Sequence, residues 1–235
     1  MLLFFLKFCE FLSYFIPNRK KREHFRRVKL YDWRRKYNAI KKHIPGLKFY
    51  QVRVIKGGWN IGFIIKNRYV FKTRKYDDTQ KTPNKTLREK RITDALAPYS
   101  PLQILHIDVV ELDGYVFYKY DFIPGRNINT YSAKTITKHR EIWGKQLADF
   151  INKIHYARPQ EIKDLIDNEG DGWNHNDICN NVIINPKTMK IVGLVDWEYS
   201  GWGKLETELE NCVIFSKKIR KSGIGQVIRD NVIKK

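Results

Sequence analysis

Two stretches in the second half of the chain decide how it folds: GWNHNDICNNVIINP at residues 172–186 and IVGLVDWEYSGWG at residues 191–203. In each stretch a short apolar run of strand character adjoins a polar loop. Asn185 and Pro186 follow the first apolar run and indicate a turn. The two runs are therefore predicted to pair as a β-hairpin that lies between the two polar loops.

These loops carry the oxygen-bearing side chains that phosphoryl transfer requires. A carboxylate must orient the attacking hydroxyl and accept its proton, and oxygen ligands must hold the Mg²⁺ that bridges the phosphates. Asp177 and Asn181 lie on the loop before the hairpin, and Asp196 ends the second strand. The pattern predicts that these three side chains reach one cleft.

The same residues resemble a known group of kinases. The segments HND, NVII and LVDWEYSG are similar to the catalytic segment of choline and ethanolamine kinases and of aminoglycoside phosphotransferases. The resemblance covers about residues 50–215 and is sharpest over residues 173–203. It implies an α+β, bilobal protein-kinase-like fold with a short C-terminal lobe, ATP bound between the lobes, and Mg²⁺ in the cleft.

The resemblance also implies roles for the polar residues. Asp177 corresponds to the catalytic base, and His175 to the residue that organises the catalytic loop. Asn181 and Asp196 correspond to the metal ligands. The family usually places five positions between base and metal asparagine, whereas Asp177 and Asn181 are four apart, which makes Asn180 a rival ligand. The interval of 15 residues from Asn181 to Asp196 is the usual one and favours Asn181.

The amino-terminal half resembles the nucleotide-binding part of these kinases, in the same order along the chain. A glycine-containing loop would let the backbone approach the phosphates. A strand lysine would contact the α- and β-phosphates, a helix glutamate would pair with that lysine, and a hinge would surround adenine. The residues assigned to these four parts are, in that order, Gly57, Gly58 and Asn60; Lys72; Glu89; and Tyr120 and Phe122.

Hydrophobic patterning predicts a β-rich first half and helices beyond it. The runs FYQVRVI and FIIKNRYVFKTRK, joined by GGWNIG, predict a hairpin, and a helix is predicted over residues 85–97. The runs ILHIDVVEL and YVFYKYDFI predict two further strands that turn at Asp113-Gly114. Another helix is predicted over residues 139–155. Its apolar face would carry Ile142, Leu147, Phe150, Ile151 and Ile154.

The first 16 residues, MLLFFLKFCEFLSYFI, form an apolar run that is shorter than the about 20 residues needed to span a bilayer. Its polar residues recur every three to four positions, which is typical of a helix lying in a membrane interface. The basic run NRKKREHFRRVK follows directly and would contact anionic headgroups. The pattern is not that of a signal peptide. The alternative is a helix packed on the domain's own core.

Charge supports an anionic partner. The chain of 235 residues has 45 lysines and arginines against 25 acids, a net +20, and residues 1–50 hold 14 of the basic residues against three acids. Such a basic block indicates a membrane or a nucleic acid. No basic-aromatic recognition motif is visible, so no nucleic acid is expected. The three cysteines, Cys9, Cys179 and Cys212, are too few and too scattered for a disulfide framework and favour a reducing compartment.

We therefore predict a cytoplasmic protein, peripheral at the inner face of the cytoplasmic membrane through residues 1–45. The predicted domains are an extension over residues 1–46, an N-lobe over 47–122 and a C-lobe over 123–235. Only 39 residues follow Asp196, so the acceptor-binding helices that choline and aminoglycoside kinases build there are small or missing.

A short, open acceptor site suits a bulky acceptor at a membrane, and the N-terminal segment resembles leaders of enzymes that build bacterial surface glycans. The favoured acceptor is thus a hydroxyl of a lipopolysaccharide or related glycolipid sugar, with choline or ethanolamine as the alternative small molecule. A pseudokinase would explain the shortened loop, but not why every predicted catalytic residue is present. Trp197, Tyr199 and Trp202 are either core side chains or an aromatic cage for a quaternary ammonium. Glu198 either enters the cleft or is a surface acid.

Overall fold

The computed structural model describes residues 8–9, 11–24, 32–56, 60–74, 82–167, 169–214 and 217–233. The chain divides into two compact units: Met1–Thr86 with Asp108–Phe122, and Leu87–Ile107 with Ile123–Lys235. One unit ends at Phe122 and the other resumes at Ile123. The segment Leu87–Ile107, predicted to belong to the N-lobe, groups instead with the second unit. Within the described ranges no helix is long and apolar enough to cross a membrane.

The first unit is built on an antiparallel sheet of five strands in the order β1-β2-β3-β5-β4. Apolar and aromatic side chains pair across it, as between Phe63 and Phe71, and such cross-strand pairs stabilise a sheet. Residues Asp113 and Gly114 turn with positive φ between the last two strands, as predicted. The strands are β1 Val52–Lys56, β2 Asn60–Ile65, β3 Tyr69–Arg74, β4 Asp108–Leu112 and β5 Tyr115–Asp121.

The run FIIKNRYVFKTRK forms two strands, β2 and β3, and its interpretation as one strand of a hairpin is wrong. Lys66 and Asn67 both have φ of +51°, and the N–H of Arg68 donates to the carbonyl of Ile65 at 2.8 Å. A two-residue turn with both φ values positive matches the twist of the strands that flank it. Asparagine favours this conformation and lysine does not, so the sequence carries only half of the usual signal.

Helix α2, Asp32–His43, follows the short helix α1, Arg19–His24, and belongs to the core of the first unit. Tyr37 and Ile40 lie one turn apart and are buried with Phe71 and Phe117 of the sheet. Burying one such side chain contributes about 1.5–3 kcal/mol. Residues 32–43 were predicted to lie in an extension outside the nucleotide-binding sheet, but their apolar face completes that sheet's core.

The second unit is organised around helix α4, whose start is set by Ser132. The Ser132 hydroxyl accepts the N–H of Thr135 at 3.1 Å, which satisfies a donor of the first helical turn. Gly144 allows close packing on α7, because a Cβ there would lie 2.6 Å from Cγ1 of Val227. The helices are α3 Thr82–Leu96, α4 Ala133–His155, α5 Leu205–Ile214, α6 Lys217–Ser222 and α7 Ile224–Asn231.

One residue of the predicted apolar face of α4 is misplaced. Ile142 is 53% exposed, whereas the next residue, Trp143, is completely buried. Trp143 is four residues before Leu147, so these two share a helical face. The larger ring occupies the core, and the remaining predicted members of that face, from Leu147 to Ile154, are buried.

Two small sheets frame the polar loops of the second unit. The predicted hairpin is confirmed: β8 pairs with β9, and Asn185 closes the turn by accepting the N–H groups of Lys187 and Thr188. The first small sheet has the order β6-β8-β9, and the second pairs β7 with β10. These strands are β6 Arg126–Asn127, β7 Gly172–Asn174, β8 Val182–Ile184, β9 Ile191–Leu194 and β10 Gly201–Gly203.

Candidate active site

The hairpin brings the two predicted metal ligands to the same end. Val182 pairs with Leu194, and one residue further on the N–H of Val195 donates to the carbonyl of Asn181 at 3.1 Å. Asp196 is therefore the next residue after a backbone contact with Asn181. Asp196 also has φ of +65°, a conformation that non-glycine residues seldom adopt and that is concentrated at functional sites.

The carboxylate of Asp177 is held by two side-chain amides. Its Oδ1 accepts from Nδ2 of Asn180 at 2.7 Å, and its Oδ2 accepts from Nδ2 of Asn181 at 2.9 Å. The same Asn181 nitrogen is 3.0 Å from the Asp177 carbonyl oxygen. The carboxylate is thus fixed in orientation while remaining partly exposed.

The pKa of Asp177 is raised by its burial and, to a smaller extent, by neighbouring carboxylates. Burial raises the pKa of Asp177 above its ordinary value, the amides of Asn180 and Asn181 oppose this, and the carboxylates of Asp196 and Glu198 raise it further. Glu198 therefore lies close enough to the predicted base to act on it, which favours its position at the cleft over that of a remote surface acid. A cation bound here would lower the repulsion among the three carboxylates.

The donor chemistry fits Mg²⁺. Among the described residues no cluster of three or more histidine, cysteine or acidic side chains could hold a metal. A cation here would rely on few protein ligands, the oxygens of Asn181 and Asp196. Mg²⁺ does so commonly, since it keeps several waters and binds through one or two protein oxygens and substrate phosphates. Asn181 turns its nitrogen to Asp177, which leaves its amide oxygen for a cation.

Asn180 is engaged differently from Asn181. Its amide oxygen accepts from Nδ2 of Asn129 at 3.3 Å, and its amide nitrogen is taken by Asp177. Both ends of the Asn180 carboxamide are therefore occupied. This contrast supports Asn181 as the cation ligand, an assignment that stays a prediction.

His175 is buried and connects the loop to the hairpin. Its Nδ1 accepts the N–H of Asp177 at 3.2 Å. Since Nδ1 is an acceptor, the proton of the neutral ring lies on Nε2, which donates to the carbonyl of Val195 at 3.2 Å. The ring also packs on Trp197 with centroids 4.7 Å apart. These contacts are those of a residue that organises the loop.

Glu208, on α5, is a component that sequence reasoning missed. Its Oε2 accepts the N–H groups of both His175 and Asn176, the two residues before the predicted base. Its Oε1 is buried and accepts no hydrogen bond from the described residues. The available signal was an acid on the apolar face formed by Leu205, Leu209 and Cys212, where a charge is uncommon unless it has partners.

Burial of Glu208 predicts a pH-dependent stability. Burial raises the pKa of this carboxyl from 4.5 to about 7, although the two N–H groups oppose the shift. The folded state thus holds the proton to higher pH. The stabilising contribution of Glu208 to the free energy of unfolding is full below pH 4.5 and is lost as the pH rises through about 7. The total change is on the order of 3 kcal/mol.

Glu208→Gln keeps an oxygen acceptor and cannot ionise, so its free energy of unfolding should lack this fall. Urea unfolding of both proteins across that pH window measures the difference. Glu210→Gln, an exposed site on the same helix, should follow the parent profile. Parallel profiles of parent and Glu208→Gln would contradict a buried, neutral carboxyl.

Helix α3 is tied to the segment that carries Asp196. Glu89 is buried, and its Oε1 accepts the N–H of Trp197 at 3.1 Å. The neighbouring Arg88 donates to the carbonyl of Ser200 at 2.6 Å. The resemblance predicts that Glu89 pairs with the strand lysine. In the structure Glu89 holds the backbone of Trp197, beside the predicted metal ligand Asp196.

In the first unit, Lys72 lies on the third strand, between its neighbours β2 and β5. It is buried, with Nζ 5.4 Å from the ring centroid of Tyr118. A buried lysine on a central strand differs from an ordinary solvated edge lysine and supports a specific role.

The predicted hinge and loop are partly described. Tyr120 pairs with Val70, and the N–H of Phe122 donates to the carbonyl of Arg68 at 2.8 Å. Asn60 begins the second strand. Gly57 and Gly58 lie outside the described residues.

Of the three aromatics near Asp196, Trp197 is a core side chain and Trp202 is partly buried and packs against the core. Trp197 is completely buried and packs edge-on against Phe150. Trp202 packs on Trp173, and the guanidinium of Arg158 lies 4.7 Å from its ring centroid. Of the three, only Tyr199 is largely exposed, at 58%. An aromatic cage needs several accessible ring faces, and these residues do not supply them.

Comparisons with known proteins show the fold. No protein-family model matches the sequence, and no curated protein matches it. The streptomycin–ATP complex of the aminoglycoside phosphotransferase APH(2'')-IIa is similar with a TM-score of 0.62 and 15% identity, covering 83% of this chain and 80% of that chain. ADP-bound APH(2'')-Ib is similar with a TM-score of 0.59 and 14% identity, covering 83% of this chain and 84% of that chain.

The GDP complex of aminoglycoside 2'-phosphotransferase-IIIa has a TM-score of 0.55 and 12% identity, covering 83% of this chain and 88% of that chain. The chain therefore has the kinase-like fold of aminoglycoside phosphotransferases, and the predicted fold class is confirmed. At these identities the likeness concerns the fold.

Proposed function

We propose that this protein is an ATP- and Mg²⁺-dependent phosphotransferase that acts on an alcohol group. The observation that carries the proposal is the arrangement around Asp177. Its carboxylate is held by Asn180 and Asn181, and the hairpin that follows brings Asn181 and Asp196 to one end. A base and two cation ligands of the required chemical types are thus assembled from a single loop and one strand end.

The proposed roles follow from these contacts. Asp177 orients the acceptor hydroxyl and accepts its proton at a carboxylate oxygen. Asn181, through its amide oxygen, and Asp196 would hold Mg²⁺, which comes with ATP and supplies charge neutralisation at the transferring phosphoryl group. His175 and Glu208 hold the backbone of the loop. In the first unit Lys72 is proposed to contact the phosphates.

The shortened loop does not favour a pseudokinase. Asn180, the rival ligand in the shortened loop, donates to Asp177 at 2.7 Å, so the loop is closed by hydrogen bonds and not disrupted. The test is transfer of labelled phosphate from ATP, with and without Mg²⁺, to choline, ethanolamine and lipopolysaccharide core sugars. Mg²⁺-dependent product is expected with an alcohol acceptor. Failure to bind Mg·ATP would refute the proposal.

The acceptor proposed is a sugar hydroxyl of a lipopolysaccharide or related surface glycolipid. The helices after Asp196 are short, since α5, α6 and α7 have 10, 6 and 8 residues. Small acceptors such as choline are recognised by enclosure, above all by aromatic faces, and Trp197 and Trp202 are committed to packing. A glycolipid would instead be presented by the membrane that carries it.

We further propose that the amino-terminal segment contacts an anionic membrane. Residues 8–9 and 11–13 are helical, and the large apolar side chains of Phe8, Phe11, Leu12 and Phe15 are all exposed, to between 45% and 69%. The spacing of Phe8, Phe11 and Leu12 is that of one helical side, and Phe15 lies in the turn that follows, with its ring centroid 5.5 Å from that of Phe11. The basic helix α1 follows. Exposure of this apolar side supports an interfacial role over packing on the core.

The double variant Phe11→Ser/Phe15→Ser should bind anionic vesicles at least about tenfold more weakly, because full burial of one such ring is worth about 1.5–3 kcal/mol. Both rings are exposed, so thermal stability should not change. Co-sedimentation at low and high salt measures binding. Ile142→Ser, another exposed apolar site, is the control. The proposal would be contradicted if the double variant bound anionic vesicles as tightly as the parent protein does. It would also be contradicted if the parent protein bound vesicles with and without anionic lipid equally.

A further inference from the structure

We infer that three asparagines, Asn127, Asn129 and Asn180, form a hydrogen-bonded relay that positions the carboxylate of Asp177. The inference rests on the proposed function, in which Asp177 is the base. It assigns Asn180 as a positioning residue and not as a metal ligand, and it extends the site to two residues that no motif marked.

The relay is continuous from Asn127 to Asp177. Nδ2 of Asn127 donates to the Asn180 carbonyl at 2.6 Å, and Oδ1 of Asn127 accepts the N–H of Asn129 at 2.9 Å. Nδ2 of Asn129 lies 3.3 Å from both the carbonyl oxygen and Oδ1 of Asn180. Nδ2 of Asn180 then donates to Asp177 at 2.7 Å.

One backbone group, the carbonyl of Asn180, sets the direction of the hydrogen bonds in the relay. The carbonyl oxygen of Asn180 can only accept, so Asn127 and Asn129 must both turn their NH₂ ends toward it. With the NH₂ end of Asn129 at this position, the adjacent side chain of Asn180 must present its oxygen. The donor end of Asn180 is therefore left facing the carboxylate of Asp177, which can only accept when ionised.

The relay holds Asp177 independently of the cation ligand. An ionised carboxylate offers about four lone-pair positions. Asn180 uses one on Oδ1, and Asn181 uses one on Oδ2. Lone pairs on both oxygens remain for an acceptor hydroxyl. Asn181 would also bind the proposed cation through its oxygen, so Asn180 is the amide contact of Asp177 that involves no proposed cation ligand.

The relay is anchored outside the loop. Asn127 and Asn129 belong to β6 and to the turn Ile128–Thr130 that follows it. Lys218 on α6 donates to the carbonyls of Asn129 at 2.7 Å and Tyr131 at 3.2 Å. The turn is thus tied to a helix, and the position it imposes on Asn180 is not set by the shortened loop alone.

The test is the full-length variant Asn129→Ala, which removes one donor without touching Asp177. We expect kcat for phosphoryl transfer to fall at least about fivefold, while the KM for ATP and the Mg²⁺ concentration for half-maximal rate change less than about twofold. Asn129→Asp, which keeps the shape but replaces the donor end with an acceptor, should lose at least as much. Asn152→Ala removes a carboxamide that bonds Asn231 and is the control for general loss of stability.

Three results would overturn the relay. One is a kcat of Asn129→Ala equal to that of Asn152→Ala. The second is a rise in the Mg²⁺ requirement that accounts for the lost rate. The third is an unchanged side-chain NH₂ signal of Asn180 in the NMR spectrum of Asn129→Ala, where a shift is expected. This last measurement needs no turnover, so a parent protein that fails to bind Mg·ATP would refute the proposed function and still leave the relay open to test.

Discussion

Replacing Asp177 by alanine is expected to lower the rate of phosphoryl transfer by about 100- to 10,000-fold, the usual contribution of a positioned general base. Binding of Mg·ATP should change less than about threefold, because this carboxylate is proposed to touch the acceptor and not the nucleotide. The variant also removes the carboxylate of Asp177, so the electrostatic repulsion that acts on Asp196 becomes smaller. Labelled-ATP transfer and calorimetric titration with Mg·ATP measure the two quantities.

Asp230→Ala supplies the control, since Asp230 is exposed on α7 and accepts a hydrogen bond from Gln226. It should transfer phosphate at the parent rate. If purified Asp177→Ala also turned over near the parent rate, Asp177 would not be the base. Equal loss of transfer and of nucleotide binding would instead indicate a ligand of the metal or the phosphates.

Asn181→Ala is expected to raise the Mg²⁺ concentration for half-maximal activity by more than about tenfold. Changes to residues that only orient metal ligands cost about 10- to 100-fold in affinity or activity, and a ligand should cost at least as much. Asn180→Ala should lower kcat without raising the Mg²⁺ requirement, because both ends of its carboxamide are engaged by Asn129 and Asp177. Rates measured over a range of Mg²⁺ concentrations separate the two effects.

The paired variants discriminate between the two possible registers of the loop. A larger increase in Mg²⁺ requirement for Asn180→Ala than for Asn181→Ala would move the ligand assignment by one residue. It would also overturn the relay, in which the oxygen of Asn180 serves Asn129 and not a cation. Matched thermal melts of the two proteins exclude unfolding as the cause.

The local elements followed closely from the sequence. The hairpin of β8 and β9 was predictable because Asn185 and Pro186 interrupt two apolar runs, and Asp113-Gly114 marked a turn whose φ values must be positive. The turn at Lys66 and Asn67 was not, since lysine seldom adopts that conformation. The exposure of Ile142 could not be predicted either, because two apolar residues in succession leave open which of them enters the core.

The sequence by itself determined the chemical types of the proposed site, because Asp177 and Asn181 precede one short hairpin, Asp196 follows it, and the pairing of its strands brings Asn181 and Asp196 to one end. Only the tertiary structure decided how that loop is supported. Glu89 and Trp197 are 108 residues apart, Asn129 and Asn180 are 51 apart, and Glu208 and His175 are 33 apart. Hydrogen bonds over such separations follow from the packing of helices and strands, which no local pattern of residues encodes.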